Sequence, residues 1–290
     1  MLSDKKRFEV LYQDVPIDEK QSLIKFRESH PIKQIKFNGY SWKYLVVNSH
    51  ESTIIFLPGA TGTGEGFFRI MESLASVYKS IALSYPPVNT IDEIINGILK
   101  IMDAEDVLKA IFLGTSWGGV IAQCFNRSYP DKVEKLILSN SLFPDPSFSK
   151  RNIIKDILLR IIPNTYLKQA SIKAMKKRYL PLIPEDDRAF WSAYFQEMIE
   201  NEYDKKMIFS IQNSFNSIIN KYNFTPNDLK NTNILIIEAD DDQAVDYFGR
   251  EKLKQMYPHA SVYTFHNTGH LIITSKPQEY LKVLIKYLEH

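Results

Sequence analysis

The chain has 290 residues, 44% of them hydrophobic, and sets 36 Lys+Arg against 34 Asp+Glu for a formal net charge of +2. That balance argues against nucleic acid as a main partner, and a chain of this length can bury about 75% of its extended surface in a large core. One cysteine, Cys124, excludes an intrachain disulfide, and the lack of CxxC and HExxH patterns argues against a dedicated zinc site.

The N-terminal run Met1 to Arg7 is charged and leads into no apolar stretch. No window approaches the ~20 apolar residues of a membrane span, so a cytoplasmic protein is the expectation. Residues 3–28 carry Phe8, Leu11, Val15, Leu23 and Phe26 at loosely helical intervals, which predicts one or two short helices or an arm on the core. Ile32 to Phe37 and Trp42 to Val47 flank Asn38-Gly39, a hairpin signal. Thr53 to Leu57 is an apolar run suited to a buried strand. It ends at a glycine-rich loop, Pro58 to Gly66, followed by a predicted helix over Phe67 to Tyr78.

Strands and helices then alternate. Ser80 to Ser84 is a predicted strand, and Ile91 to Met102 a helix with Thr90 and Asp92 as candidate caps. Leu108 to Leu113 is a strand, Gly118 to Tyr129 a helix and Val133 to Ser139 a strand. This rhythm predicts an α/β fold with a mostly parallel sheet flanked by helices. It stops between about 143 and 225, a stretch too long for a connecting loop. The segment is helical in pattern and rich in aromatics, including Trp191, Tyr194 and Phe195, so it is expected to be an inserted helical cap. The basic run Lys173 to Arg178 within it is best explained as a solvated helix face. The rhythm resumes with strands at Asn233 to Glu238 and Ser261 to Phe265, and helices at Arg250 to Met256 and Pro277 to Leu288. The expected organisation is a core from 1–142 and 226–290, interrupted by a cap at 143–225.

Gly114-Thr115-Ser116-Trp117-Gly118 fits G-x-S-x-G. A serine on a sharp strand-to-helix turn is forced into strained geometry that lifts its hydroxyl clear of the sheet. Side chains two residues away on either side would collide with that turn, hence the glycines. The helix that follows aims its positive end at the serine. An incidental serine in a glycine-softened turn is the alternative, but a strand before and a helix after are what the motif requires. A serine nucleophile needs a base, and a carboxylate to orient that base. Both are offered downstream at strand ends: Asp240-Asp241-Asp242, and His270, which of the six histidines is the one that follows a glycine directly after a strand end. His266 is expected to end the strand and be structural.

The order Ser116, Asp242, His270 in this strand context resembles the α/β-hydrolase fold. The resemblance covers about residues 32 to 288. It implies the acid at Asp242, because Ala239 to Val245 fits the G-x-x-D-x-x-V stretch with alanine for glycine. Asp240 and Asp241 are then turn residues. Some members carry the acid after the sixth strand, where Asp145 would stand in. It further implies an oxyanion hole from the backbone N–H groups of Trp117 and of Ala60, with Pro58-Gly59-Ala60 in place of the usual His-Gly-x. Gly59, Phe143 and Trp191 are expected to contact substrate. Within the family, Leu57-Pro58-Gly59, Phe67-Phe68-Arg69, Tyr85-Pro86 and Leu138 to Ser141 resemble maspardin-like proteins and their bacterial hydrolase relatives.

The implied function is a serine hydrolase of the carboxylesterase type, acting on a small apolar ester or related acyl substrate without metal or organic cofactor. A non-enzymatic ligand- or protein-binding member of the fold is the rival. A nucleotide binder is disfavoured, because Glu65 and Gly66 follow Gly64 where a Walker loop needs lysine, and the glycine spacing is not G-x-G-x-x-G. The oligomeric state cannot be read from the sequence.

Overall fold

A computed structural model describes residues 4–144, 159–222, 224–225, 229 and 231–289. Eight strands form one sheet: β1 (Lys33–Phe37), β2 (Tyr40–Val47), β3 (Thr53–Leu57), β4 (Lys79–Ser84), β5 (Ala110–Thr115), β6 (Val133–Ser139), β7 (Asn233–Ala239) and β8 (Ser261–Phe265). Their spatial order is β1-β2-β4-β3-β5-β6-β7-β8. β2 runs against its neighbours β1 and β4, while every pair from β4 to β8 is parallel. The helices are α1 (Asp4–Leu11), α2 (Ile17–Ser29), α3 (Phe68–Leu74), α4 (Ile91–Ala104), α5 (Trp117–Ser128), α6 (Asn164–Tyr179), α7 (Arg188–Glu202), α8 (Lys205–Lys221), α9 (Tyr247–Met256), α10 (Ile272–Ser275) and α11 (Pro277–Leu288).

The period of two along a strand divides the core. In β3, Ile55 and Leu57 join the apolar cluster with α4, α5 and α9, while Ile54 and Phe56 join the one with α2, α3 and α11. Both faces are covered, which is why the inner strands read as continuous apolar runs. Cys124 is fully buried in α5.

Several boundaries differ from expectation for local reasons. Leu108 is 83% exposed and precedes β5, which begins at Ala110 after a turn with Asp106 at φ 55°. The helix after β3 is a short 3-10 turn (Glu65–Phe67) followed by α3, and it ends at Leu74 rather than Tyr78. The cap of α4 is a reciprocal box: Thr90 Oγ1 accepts from the Glu93 N–H and the Glu93 carboxylate accepts from the Thr90 N–H, so the partner is Glu93 rather than Asp92.

Between β6 and β7 the elements among the described residues are helices. α7 buries Phe190, Trp191, Tyr194 and Phe195 in the same cluster as α2 and α3. α8 is capped by Asp204, whose carboxylate accepts from the Met207 N–H at 3.1 Å, and it is tied to the core where Ser217 Oγ accepts from the Ile91 N–H at 2.8 Å. Lys173, Lys177 and Arg178 on α6 are exposed. No helix among the described residues is long and apolar enough to cross a membrane.

Candidate active site

The parallel strands deliver their carboxyl ends to one edge of the sheet, where crossover loops leave room for a ligand. Ser116 lies there between β5 and α5, at φ 52° and ψ −118°. That is outside the small left-handed helical region, so a residue with a Cβ is strained there. The turn is pinned on both sides. The Ser116 N–H donates to Ser139 O at 2.9 Å, and Ser116 O accepts from the Gly119 N–H and from Ser141 Oγ, each at 3.0 Å. A Cβ at Gly114 would overlap the Gly118 backbone, and one at Gly118 would overlap the Leu57 carbonyl. The flanking glycines are therefore demanded by close approach.

The loop after β3 passes directly over the serine: a Cβ at Gly59 would lie 3.3 Å from Ser116 Cβ. Among the described residues, neither the Ala60 N–H nor the Trp117 N–H donates to another group. Trp117 opens α5, so its amide adds the positive helix end to this spot.

His270 follows the turn after β8. Its Nδ1 lies 2.8 Å from Asp242 Oδ2 and 3.0 Å from Oδ1. The Asp242 side chain is fully out of solvent and the His270 side chain is 11% exposed. Asp242 Oδ1 also accepts from the N–H groups of Ala244 at 2.7 Å and Val245 at 3.0 Å, and Oδ2 from Asn140 Nδ2 at 2.8 Å. Burial alone would push the Asp242 carboxyl up. The hydrogen bond and charge of His270, with the Asn140 amide and the Val245 N–H, outweigh it and hold the carboxyl below its ordinary value.

The neighbouring acids do other work. Asp241 Oδ1 accepts from the Thr268 and Gly269 N–H groups at 3.2 and 3.0 Å, which fixes the loop that presents His270. Asp240 is exposed and pairs with His266 Nδ1 at 2.6 Å, just beyond the end of β8. Asp145 lies outside the described residues. The position after β6 that does touch the acid is Asn140. It is buried, sits at φ 43°, and bonds Asp242 on one side and Gly269 O (3.4 Å) on the other. Sequence reasoning had no local signal for it, because an asparagine after a strand reads as an ordinary turn residue.

Ser116, His270, Asn140, Gly59 and Ala60 line one cavity of about 350 Å³. Its opposite wall comes from α6 and α7: Met175, Tyr179, Trp191, Tyr194, Phe195 and Met198. Trp191 thus joins the cavity. Phe143 does not line it; its ring packs edge-on against Phe224 and Tyr257, with centroids 5.2 and 6.2 Å away. The Trp117 ring packs against Phe215, with centroids 5.7 Å apart, and Trp117 is not among the residues that line the cavity. Ser116 and His270 face the same space without a hydrogen bond between them among the described residues; such contacts tighten when a ligand closes the site. No three His, Cys, Asp or Glu side chains among the described residues are grouped to hold a metal.

Comparison with known proteins agrees with this fold. A family model described as alpha/beta hydrolase fold matches residues 52–277. Maspardin from Danio rerio is 26% identical over 243 residues, covering 81% of this chain and 75% of that one. A proline iminopeptidase from Lactobacillus acidophilus is 22% identical over 298 residues, covering 88% and 97%. Among solved structures, a hydrolase from Pseudomonas aeruginosa PA01 superposes with a TM-score of 0.73 at 15% identity, covering 90% of this chain and 99% of that one. With a strained strand-to-helix serine, a parallel sheet in this strand order and a family match across most of its length, the chain belongs to the α/β hydrolase fold family.

Proposed function

We propose that the protein is a serine hydrolase that cleaves a small, mainly apolar ester or related acyl substrate, with chemistry of the carboxylesterase type. The observation that carries this reading is the strained Ser116 in one cavity with a histidine whose Nδ1 is bound to a buried carboxylate. With Nδ1–H donated to Asp242, the His270 Nε2 is the free base. Ser116 Oγ attacks the carbonyl carbon as its proton passes to Nε2, and the carbonyl oxygen becomes an anion held by the Ala60 and Trp117 N–H groups. The bond to the leaving group then breaks, with the proton passing from His270 to that group. Water, activated by the same histidine, releases the acid and restores Ser116.

The helices between β6 and β7 act as a cap in this reading. They begin on the active-site side of the sheet, and Met175, Trp191 and Phe195 give the cavity an apolar wall suited to a short hydrocarbon chain. A closed mouth excludes water and strengthens the contacts to the oxyanion. The likeness to a proline iminopeptidase makes an amide a sensible second substrate class to include. The test is a fluorophosphonate probe. One adduct per chain, mapped to Ser116 and lost in His270→Ala, is expected. Labelling spread over several serines, or none on folded protein, would reject the enzyme and favour a ligand- or partner-binding role on the same scaffold.

A further inference from the structure

A second cavity, about 400 Å³, lies between α2, β2 and α7. It shares Thr63, Tyr194 and Met198 with the catalytic cavity as a common wall. Its character is different. Met175, Trp191 and Phe195 face the catalytic cavity, whereas Arg27, Lys43, Glu65, Glu197 and Asn201 face the second.

Arg27, Glu65 and Glu197 are already engaged, while Lys43 and Glu202, both partly exposed, form a looser ion pair at 3.9 Å. Arg27 grips Glu65 through Nε and Nη2 at 2.8 and 2.7 Å, and Glu197 through Nη1 and Nη2 at 3.0 Å each. Tyr12 OH adds a bond to Glu197 at 2.6 Å. Two bidentate carboxylates on one guanidinium make a stiff wall whose acceptors are largely spent. The unspent groups stand at the junction. Tyr194 is 2% exposed, yet its hydroxyl has no hydrogen-bond partner among the described residues, and the Thr63 hydroxyl has none either. Burial pushes the Tyr194 phenol well above its ordinary value, so it stays neutral and able both to donate and to accept. Both hydroxyls line the cavities, and a ligand group that reaches them can bond to them directly.

We propose that the second cavity is a subsite for an uncharged hydrogen-bonding head group, a hydroxyl or an amide, carried by the substrate away from the bond being cleaved. Tyr194 and Thr63 recognise it at the junction while the reacting carbonyl sits at Ser116. The substrate is then two-ended, with an apolar part against α6 and α7 and a polar part beyond Tyr194. This inference rests on the serine hydrolase reading.

The experiment compares matched esters. One pair differs by hydroxyls on the alcohol part (butyl against dihydroxybutyl), another by a hydroxyl at the far end of the acyl chain, and a choline ester supplies a cationic head. The expected result is a kcat/KM about tenfold higher for the hydroxylated member of one pair, carried mainly by KM. That ratio should fall close to one in Tyr194→Phe and in Thr63→Val. No preference in either pair, a preference that survives both substitutions, or a stronger preference for choline would overturn the proposal. Fluorophosphonate labelling of the same preparations separates the two levels. Labelled Ser116 without head-group preference removes only the subsite, whereas absence of labelling and turnover removes the hydrolase reading with it.

Discussion

Replacing Ser116 by glycine should stabilise the fold, even though it removes the nucleophile of the proposed reaction. At φ 52° and ψ −118° a residue with a Cβ carries strain of about 1–3 kcal/mol. Alanine keeps that Cβ and the strain. Glycine removes both, at a cost of about 0.5–1 kcal/mol in extra backbone freedom of the unfolded chain. Ser116→Gly is therefore expected to exceed Ser116→Ala by about 1 kcal/mol in urea unfolding, or about 1.5–2 °C in Tm for a chain of this length. Ser73, exposed near the end of α3, provides the control. There the backbone is helical and Ser73→Gly should be less stable than Ser73→Ala. The inverted sign is the signature of strain held at Ser116. If glycine is the less stable substitution at both positions, the elbow is relaxed and the reasoning fails.

Four other outcomes are expected. Asp242→Asn should lower kcat by about 10⁴, as a wrong histidine tautomer does, with Asp241→Asn intermediate and Asp240→Asn nearly silent in steady-state assays; Asp241→Asn as the most damaging of the three would move the acid by one residue. The same carboxyl is held below its ordinary value, so its stabilising effect is complete above the unfolded carboxylate range of about 3.9 and is lost as pH falls through the lower folded value. Asp242→Asn should flatten that part of the acid limb in urea unfolding measured against pH. Asn140→Ala removes a hydrogen bond to a charged group, worth about 1.5–3 kcal/mol, so kcat should fall about 10- to 100-fold; unchanged turnover would show that the acid is held without it. Trp191→Ala and Phe195→Ala should each reorder the preference across an ester chain-length series, and an unchanged profile in both folded variants would make this wall irrelevant to substrate choice.

The legible parts of this molecule were those whose cause is local. The elbow is written in five consecutive residues, because glycine is required wherever Gly114 and Gly118 press on neighbouring backbone. Strand ends could be located from apolar runs, so position narrowed the candidate acid to Asp240-Asp241-Asp242 and pointed to His270, while the choice of Asp242 came from the family resemblance. What escaped depends on contacts distant in sequence. Asn140 meets Asp242 across 102 positions, and Arg27 meets Glu197 across 170; no window of periodicity contains either pair. Phe143 was expected to contact substrate, and it does not line the cavity. Its ring is directed instead by Phe224 and Tyr257, which the chain reaches only about 80 and 115 residues later.

The lone cysteine gives this fold an internal reporter. Cys124 lies about two turns beyond Ser116 on the same helix, completely enclosed, with burial pushing its thiol up. A neutral, enclosed sulfur is inert until the helix lifts from the sheet. The rate at which an aromatic disulfide reagent consumes that one thiol therefore counts how often the support of Ser116 opens in the native state. Ligands that settle over Ser116 should lengthen the interval between openings, so occupancy can be followed without a chromogenic substrate and in variants that have lost turnover.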